Sequence, residues 1–397
     1  MTKEKDTQLE VYCRFVRRKR AALIIAALAA IVAAVFSAGV GSISISAWEI
    51  LKTIFGAGDA QQNTVIWGIR LPRVTAAILV GAMLASSGAV MQCVLHNPLA
   101  SASTLGVSQG AAFGAAVGII VFGGGVVNSA SAAAAVTVND PYIVTLCAFV
   151  CGSFSTVVII AISRFKSDIG PGGLVLAGVA LSSLFSGGST LLQYFADEQK
   201  LGAVVFWTFG NLGNANWTEL AVLAVIFVLS MLYFLFNRWN YNAMEAGGDT
   251  AKSLGVNTRA VMLVSMGVCS LSAAVAVSFV GIISFVGLVA PHIMRRFVGN
   301  DYRYLVPASA VAGALLLILA DTFGKWVITK KATFRKDGEK TRTCEVCEYV
   351  EKATIQATGS PAKTGDDSHI GMWAGILCVS LAGIIALVVW YKRKNRK

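Results

Sequence analysis

The sequence predicts an all-α, polytopic membrane bundle of about ten transmembrane helices. Three observations point to it. Of 397 residues, 56% are hydrophobic and only 14% are charged, where soluble domains carry roughly 25% charged residues. The apolar residues gather into ten stretches, 21–40, 74–94, 105–126, 142–162, 174–195, 219–237, 260–280, 282–297, 304–321 and 371–391, and a helix needs about 20 such residues to cross the hydrocarbon layer. Lys and Arg fall between these stretches in alternation, as positive-inside topology requires.

Each span follows from its flanks. The first comes after Arg14, Arg17, Arg18, Lys19 and Arg20, which assigns the N-terminal segment 1–20 to the cytoplasm. No small-residue cleavage site is clear behind it, so it reads as a retained helix and not as a signal peptide. The second and fifth spans carry GAMLASSG and GVALSSLFSGG. Lipid supplies no hydrophobic drive between helices, so Gly, Ala and Ser mark close backbone approach, and both are expected inside the bundle. The stretch 127–141 between the third and fourth spans has no Lys or Arg. Arg164 and Lys166 return to the cytoplasmic side, and 196–217 on the other side holds only Lys200. Arg238, Lys252 and Arg259 precede the seventh span, and Arg295, Arg296 and Arg303 join the eighth to the ninth. The tenth ends in KRKNRK, which puts the C-terminus in the cytoplasm as well.

The net charge of +12 thus sits at segment ends and builds no nucleic-acid face. Six of eight cysteines lie in or beside apolar segments as small packing residues. Only Cys344 and Cys347 form a spaced pair outside them. A lone CxxC supplies two of the four ligands of a structural zinc, so an external disulfide or an idle thiol pair is expected there. There is no G-x-x-x-x-G-K-[ST] loop, so the chain is expected to lack its own ATPase site. No Asp or Glu stands mid-span, which argues against a carrier driven through buried carboxylates.

Four motifs carry chemistry. WGIRLPR places Arg70 and Arg73 three residues apart on the side that avoids positive charge; an exposed pair there binds carboxylates through forked hydrogen bonds, or else snorkels at the interface. In NPLASASTLG, Asn97 and Pro98 end a helix and open a turn, either a shaped cytoplasmic contact or a plain connection. EAGGDTAKSLGVNTR sets Ala251, Leu254 and Val256 among polar residues and glycine breaks, as a short amphipathic helix that another protein can grip or as a solvated loop. In FVGLVAPHIMR, His292 follows Pro291 near a span end, a gating or structural position with Arg295 beside it.

Taken together, WGIRLPR, LVGAMLASSGAVMQ, HNPLA, LGVSQGAAFG, WTFGNL, AKSLGVNTR and FVGLVAPHIMR resemble, in order and spacing over about 20–325, the FecCD (BtuC-like) family of ABC transporter permeases. The resemblance implies ten helices, an ABC ATPase subunit below, an extracellular solute-binding lipoprotein above, and a second permease subunit in a homo- or heterodimer. It implies import of iron siderophores, haem or cobalamin, with no cofactor of its own. By the same resemblance Arg70, Arg73 and Lys325 dock the binding protein, and Ala251, Lys252, Leu254 and Gly255 contact the ATPase.

Two departures stand out. Ser101, Ala102 and Ser103 follow NPLA where the family has an acidic residue and a proline. After Asp321 the family's PxG turn and closing helix are missing. Instead, 326–359 resembles a repeat of Gram-positive surface proteins, and PAKTGDD, an apolar span and a basic end resemble a sortase-type sorting signal. Lys325, Lys330, Lys331, Arg335 and Lys336 crowd the outer end of the ninth span against the charge rule. The chain therefore divides into 1–20, a permease domain 21–325, a polar segment 326–370 and an anchor 371–397, with a junction near Lys325 left by gene fusion, frameshift or sequence assembly. The rival readings are a secondary carrier or channel, a wall-anchored surface protein, and an inactive chimeric permease.

Overall fold

The computed structural model describes residues 2–39, 47–54, 56, 58–124, 141–165, 170–324 and the segments 327–330, 338–343 and 350–355. Its bundle is all-helical. The first part comprises α1 (Thr2–Gly39), α2 (Ala47–Ile54), α3 (Ala60–Val65), a π turn (Ile66–Arg70) and α4 (Leu71–Val94). Then come α5 (Val107–Ile120), α6 (Pro141–Phe165), α7 (Pro171–Tyr194), α8 (Glu198–Thr208) and α9 (Trp217–Phe236). The last part is α10 (Arg238–Glu245), α11 (Gly248–Ser253), α12 (Thr258–Val280), α13 (Val286–Val298) and α14 (Tyr302–Gly324).

α4 is the centre. It begins with Pro72 in its first turn, where a missing N–H costs nothing, and packs against α14, α12, α13 and α9. The expected close approach is real. A methyl group on Gly81 would fall on the carbonyl of Gly313, and one on Gly88 on the carbonyl of Gly287. α5 packs between α6 and α7, with Gly110 and Gly114 against the α6 backbone, and Gly178 of α7 meets Thr104 in the turn before α5. Local chemistry sets the ends. Asn216 and Glu219 form a reciprocal capping box on α9, and Asn257 Oδ1 caps α12 at Ala260 N–H.

Among the described residues seven helices are long and apolar enough to span a membrane, and they match the expected first, second, fourth, fifth, sixth, seventh and ninth spans. The third and eighth are shorter than predicted. α5 has 14 residues and α13 has 13, roughly 20 Å of helix each against about 30 Å of hydrocarbon. Irregular backbone flanks both, before α13 and on both sides of α5, which ends at Ile120 ahead of a turn with Gly123 at φ 71°. Residues 101–106 end at Gly106 with φ 83°, and 281–285 run between Gly281 at φ 77° and Phe285 at φ 67°. The interior placement of the fifth span is corrected: α4 is 78% buried within the chain, but α7 only 17%, on one stripe of Leu174, Gly178, Phe185 and Ser189.

Beyond the bundle, β1 (Val327–Lys330), β2 (Gly338–Thr343) and β3 (Val350–Ile355) form a small sheet in that order, with β1 antiparallel to β2. Lys325, the Cys344–Cys347 pair and the expected span 371–391 lie outside the described residues.

Candidate functional site: the two ends of the bundle

One end carries Arg70 and Arg73, which do not form one exposed fork. Arg70 closes the π turn and is 7% exposed. Its Nη1 donates to the carbonyls of Ala38 at 2.8 Å and Gly39 at 3.2 Å. It therefore satisfies the orphan carbonyls and negative dipole end of α1, and its expected place in an exposed docking pair is corrected for that reason. Arg73 keeps 25% of its side-chain surface and holds Asp321 of α14, Nε to Oδ1 at 3.0 Å and Nη2 to Oδ1 at 3.0 Å. The loop after α8 passes beside it, since a methyl on Gly213 would stand 3.3 Å from Arg73 Nη1. Nearby, Trp217 Nε1 donates to the Trp67 carbonyl at 2.9 Å with the two rings 5.9 Å apart.

The opposite, basic end gathers the remaining motifs. α10 and α11 are separated only by Ala246 and Gly247, the latter at φ 123°. The expected short helix is there. Of its candidates, Lys252 and Leu254 are 66% and 68% exposed, and Gly255 is exposed at φ 83°. Ala251 is 0% exposed, so it supports this surface from beneath and is corrected as a contact residue. A six-residue helix has one inward stripe, and Ala251 is on it.

Asn97 and Pro98 form a tight turn. His96 enters it at φ 48°, Asn97 Oδ1 accepts from Leu99 N–H at 2.9 Å, and Pro98 is exposed. His96 Nε2 donates to the Met244 carbonyl at 3.1 Å, which ties the turn to α10. Pro291 is buried inside α13, His292 is exposed, and Arg295 Nη2 donates to Tyr302 Oη at 3.2 Å.

A polar network that no sequence motif announces joins these pieces. Tyr302 Oη donates to Glu245 Oε2 at 3.2 Å and Asn300 Nδ2 to Glu245 Oε1 at 2.6 Å. Asn242 Nδ2 donates to Asp301 Oδ1 at 3.1 Å, and its Oδ1 accepts Tyr302 N–H at 2.8 Å. Arg303 pairs with Asp301 at 2.7 Å and Lys19 of α1 lies at 3.6 Å. Arg303 also stacks on Trp239, 4.7 Å from the ring centre. The only sequence signal was a scatter of Asn, Asp and Tyr at span ends.

Burial alone would raise the Asp301 carboxyl. Hydrogen bonds from the Arg303 and Asn242 side chains and the Arg303 N–H, with the guanidinium charge, outweigh it and hold the group down to about 2 from 3.8. A depressed carboxylate stabilises the fold above its unfolded value and loses that contribution as pH falls from about 4 through about 2. Asp301→Asn is therefore expected to lower stability at pH 7 by about 1–2 kcal/mol after solvent screening, and to change little at pH 2. Thermal melts at the two pH values check this; an equal loss at both would contradict the assignment.

Among the described residues no cluster of His, Cys, Asp or Glu has the makings of a metal site. What the arrangement offers is mechanical: a protruding segment at one end, an anchored arginine at the other, and tightly packed helices between.

Comparison with known proteins agrees with this picture. The profile of the FecCD transport family matches residues 28–333. The chain is 46% identical to an ABC transporter permease homologue of Methanocaldococcus jannaschii, over 80% of this chain and 90% of that one. It is 33% identical to the Fe(3+)-citrate import system permease protein YfmE of Bacillus subtilis, over 79% of this chain and 89% of the relative. A solved inward-facing ABC transporter, described as of metal-chelate type, superposes with a TM-score of 0.65 at 32% identity, covering 76% of this chain and 89% of that one.

Proposed function

We propose an iron-chelate importer for this chain, which belongs to the FecCD transport family and is a membrane-spanning permease subunit of an ABC transporter. The observation that carries the substrate class is the superposition on a metal-chelate type transporter, with a ferric-citrate relative in support. In this reading the basic end faces the cytoplasm with both termini. The exposed surface of Lys252, Leu254 and Gly255 sits on a separate ATPase subunit, backed by Ala251, and the Asn97–Pro98 turn is tied through His96 to α10, the helix before that surface. Arg73, with Lys325, presents positive charge to acidic residues of an extracellular solute-binding lipoprotein. A second permease subunit completes the path, and Pro291, His292 and Arg295 belong to the element that moves.

The segment from 326 onward is read as an appended tail, in keeping with a family match that ends at 333. Because that tail stands where the family's closing helix is expected, an inactive chimera is the second reading. Cells producing the chain with its ATPase and binding protein test both. Uptake of radiolabelled ferric citrate or hemin is the expected result. Uptake of cobalamin alone would move the substrate class, and no uptake of any of the three would favour the inactive chimera.

Leu254→Asp is expected to weaken retention of the ATPase subunit at least tenfold. A carboxylate there replaces an apolar side chain that is 68% exposed before docking and leaves a charge unpaired in the interface. Co-purification in detergent measures it, and unchanged retention would rule out this docking surface.

A further inference from the structure

We infer that Asn242 is a positioning residue that carries movement of the ATPase-facing segment into α14, and through α14 to the Arg73–Asp321 pair at the far end. The inference rests on the assignment of the α11 surface to the ATPase. α10 leads into α11 within two residues, so displacement of one pulls the other. Asn242 on α10 uses its amide in both directions, Nδ2 to Asp301 at 3.1 Å and Oδ1 from the N–H of Tyr302 at 2.8 Å. A neutral amide offers a donor and an acceptor on separate atoms of one short side chain, which suits it to this double contact. These two bonds grip the first residue of α14 and the one before it.

α14 then runs 23 residues with Pro307 inside its second turn, roughly 35 Å of helix, long enough to cross the membrane. Past that proline its middle lies backbone to backbone on α4 at Gly81 and Gly313, which fixes the helix tightly at that crossing. Its last turn holds Asp321, whose carboxylate grips Arg73 at 3.0 Å. One helix is thus fastened at one end to the segment that meets the ATPase and at the other to the arginine offered to the binding protein. Packed helices of this kind shift between discrete arrangements more readily than they deform.

The test uses the complete complex of permease, ATPase and binding protein in proteoliposomes, with ferric citrate as the probe. Asn242→Ala is expected to keep the ATPase and to hydrolyse ATP within twofold of the unaltered complex when no binding protein is present. Acceleration by the loaded binding protein is expected to fall at least fivefold. Asn242→Asp, which sets a carboxylate against Asp301, is expected to do the same, and Asn242→Asp with Asp301→Asn, which restores a donor opposite an acceptor, to regain at least half of the acceleration. Acceleration within twofold of the unaltered complex in Asn242→Ala overturns the inference. So does a parallel fall of both hydrolysis rates, which is the mark of a merely structural role. ATPase retention by Leu254→Asp separately refutes the docking surface, and with it α11 as the input end.

Discussion

Gly88→Val is expected to abolish recovery of a monodisperse bundle, with a stability loss of about 3 kcal/mol or more, at the upper end of the range for overpacking. The reason is what the side chain would meet. A methyl at Gly88 already falls on the Gly287 carbonyl, and Leu84 and Gly88 receive Gly287 from the other side. Backbone cannot rotate away as a side chain can, so α13 would have to leave α4. Gly202→Ala in α8 is the control. Nothing stands within 4 Å of a methyl there, and replacing a helical glycine by alanine is worth roughly 0.5–1 kcal/mol of added stability. Size-exclusion profiles and melting in detergent separate the two, and a well-folded Gly88→Val protein would show that the α4–α13 contact is looser than described.

The second large effect divides two arginines that the sequence presents as equals. Arg73→Glu is expected to cut affinity for the binding protein at least tenfold, since it reverses the partly exposed charge and sets it against Asp321. Arg70→Ala is expected to act on folding. It strips the α1 carbonyls at Ala38 and Gly39 of a buried donor, at a cost of about 1–3 kcal/mol, and leaves affinity within threefold once the protein is folded. Binding of the immobilised lipoprotein and thermal melts read the two effects. Equal loss of affinity in both variants would restore the shared docking role.

That division shows where sequence reading reaches and where it stops. Hydropathy and Lys/Arg placement located the seven spans found among the described residues, because length and composition are what crossing a membrane demands. The same apolar text runs unbroken through 281–285, so α13 looked longer than its 13 residues; Gly281 and Gly106 were the signals of a break. Arg70 and Arg73 differ through a π turn, and no spacing rule announces one. Ala251 sits on the inward stripe of a helix too short for its periodicity to be read. Asn242 and Asp301, 59 residues apart, are brought together only by the packing of α10 on α14. The small residues of α7 illustrate the converse case: the pattern that buries α4 leaves α7 mostly uncovered within one chain.

The central claim is that this permease imports an iron chelate only when a separate ATPase drives it. Uptake of radiolabelled ferric citrate into proteoliposomes holding the chain, with the ATPase and binding protein supplied or withheld, tests it most directly. The account predicts uptake that requires ATP, the ATPase subunit and the binding protein together. Uptake that persists without the ATPase, or that follows an imposed proton or sodium gradient, would contradict it.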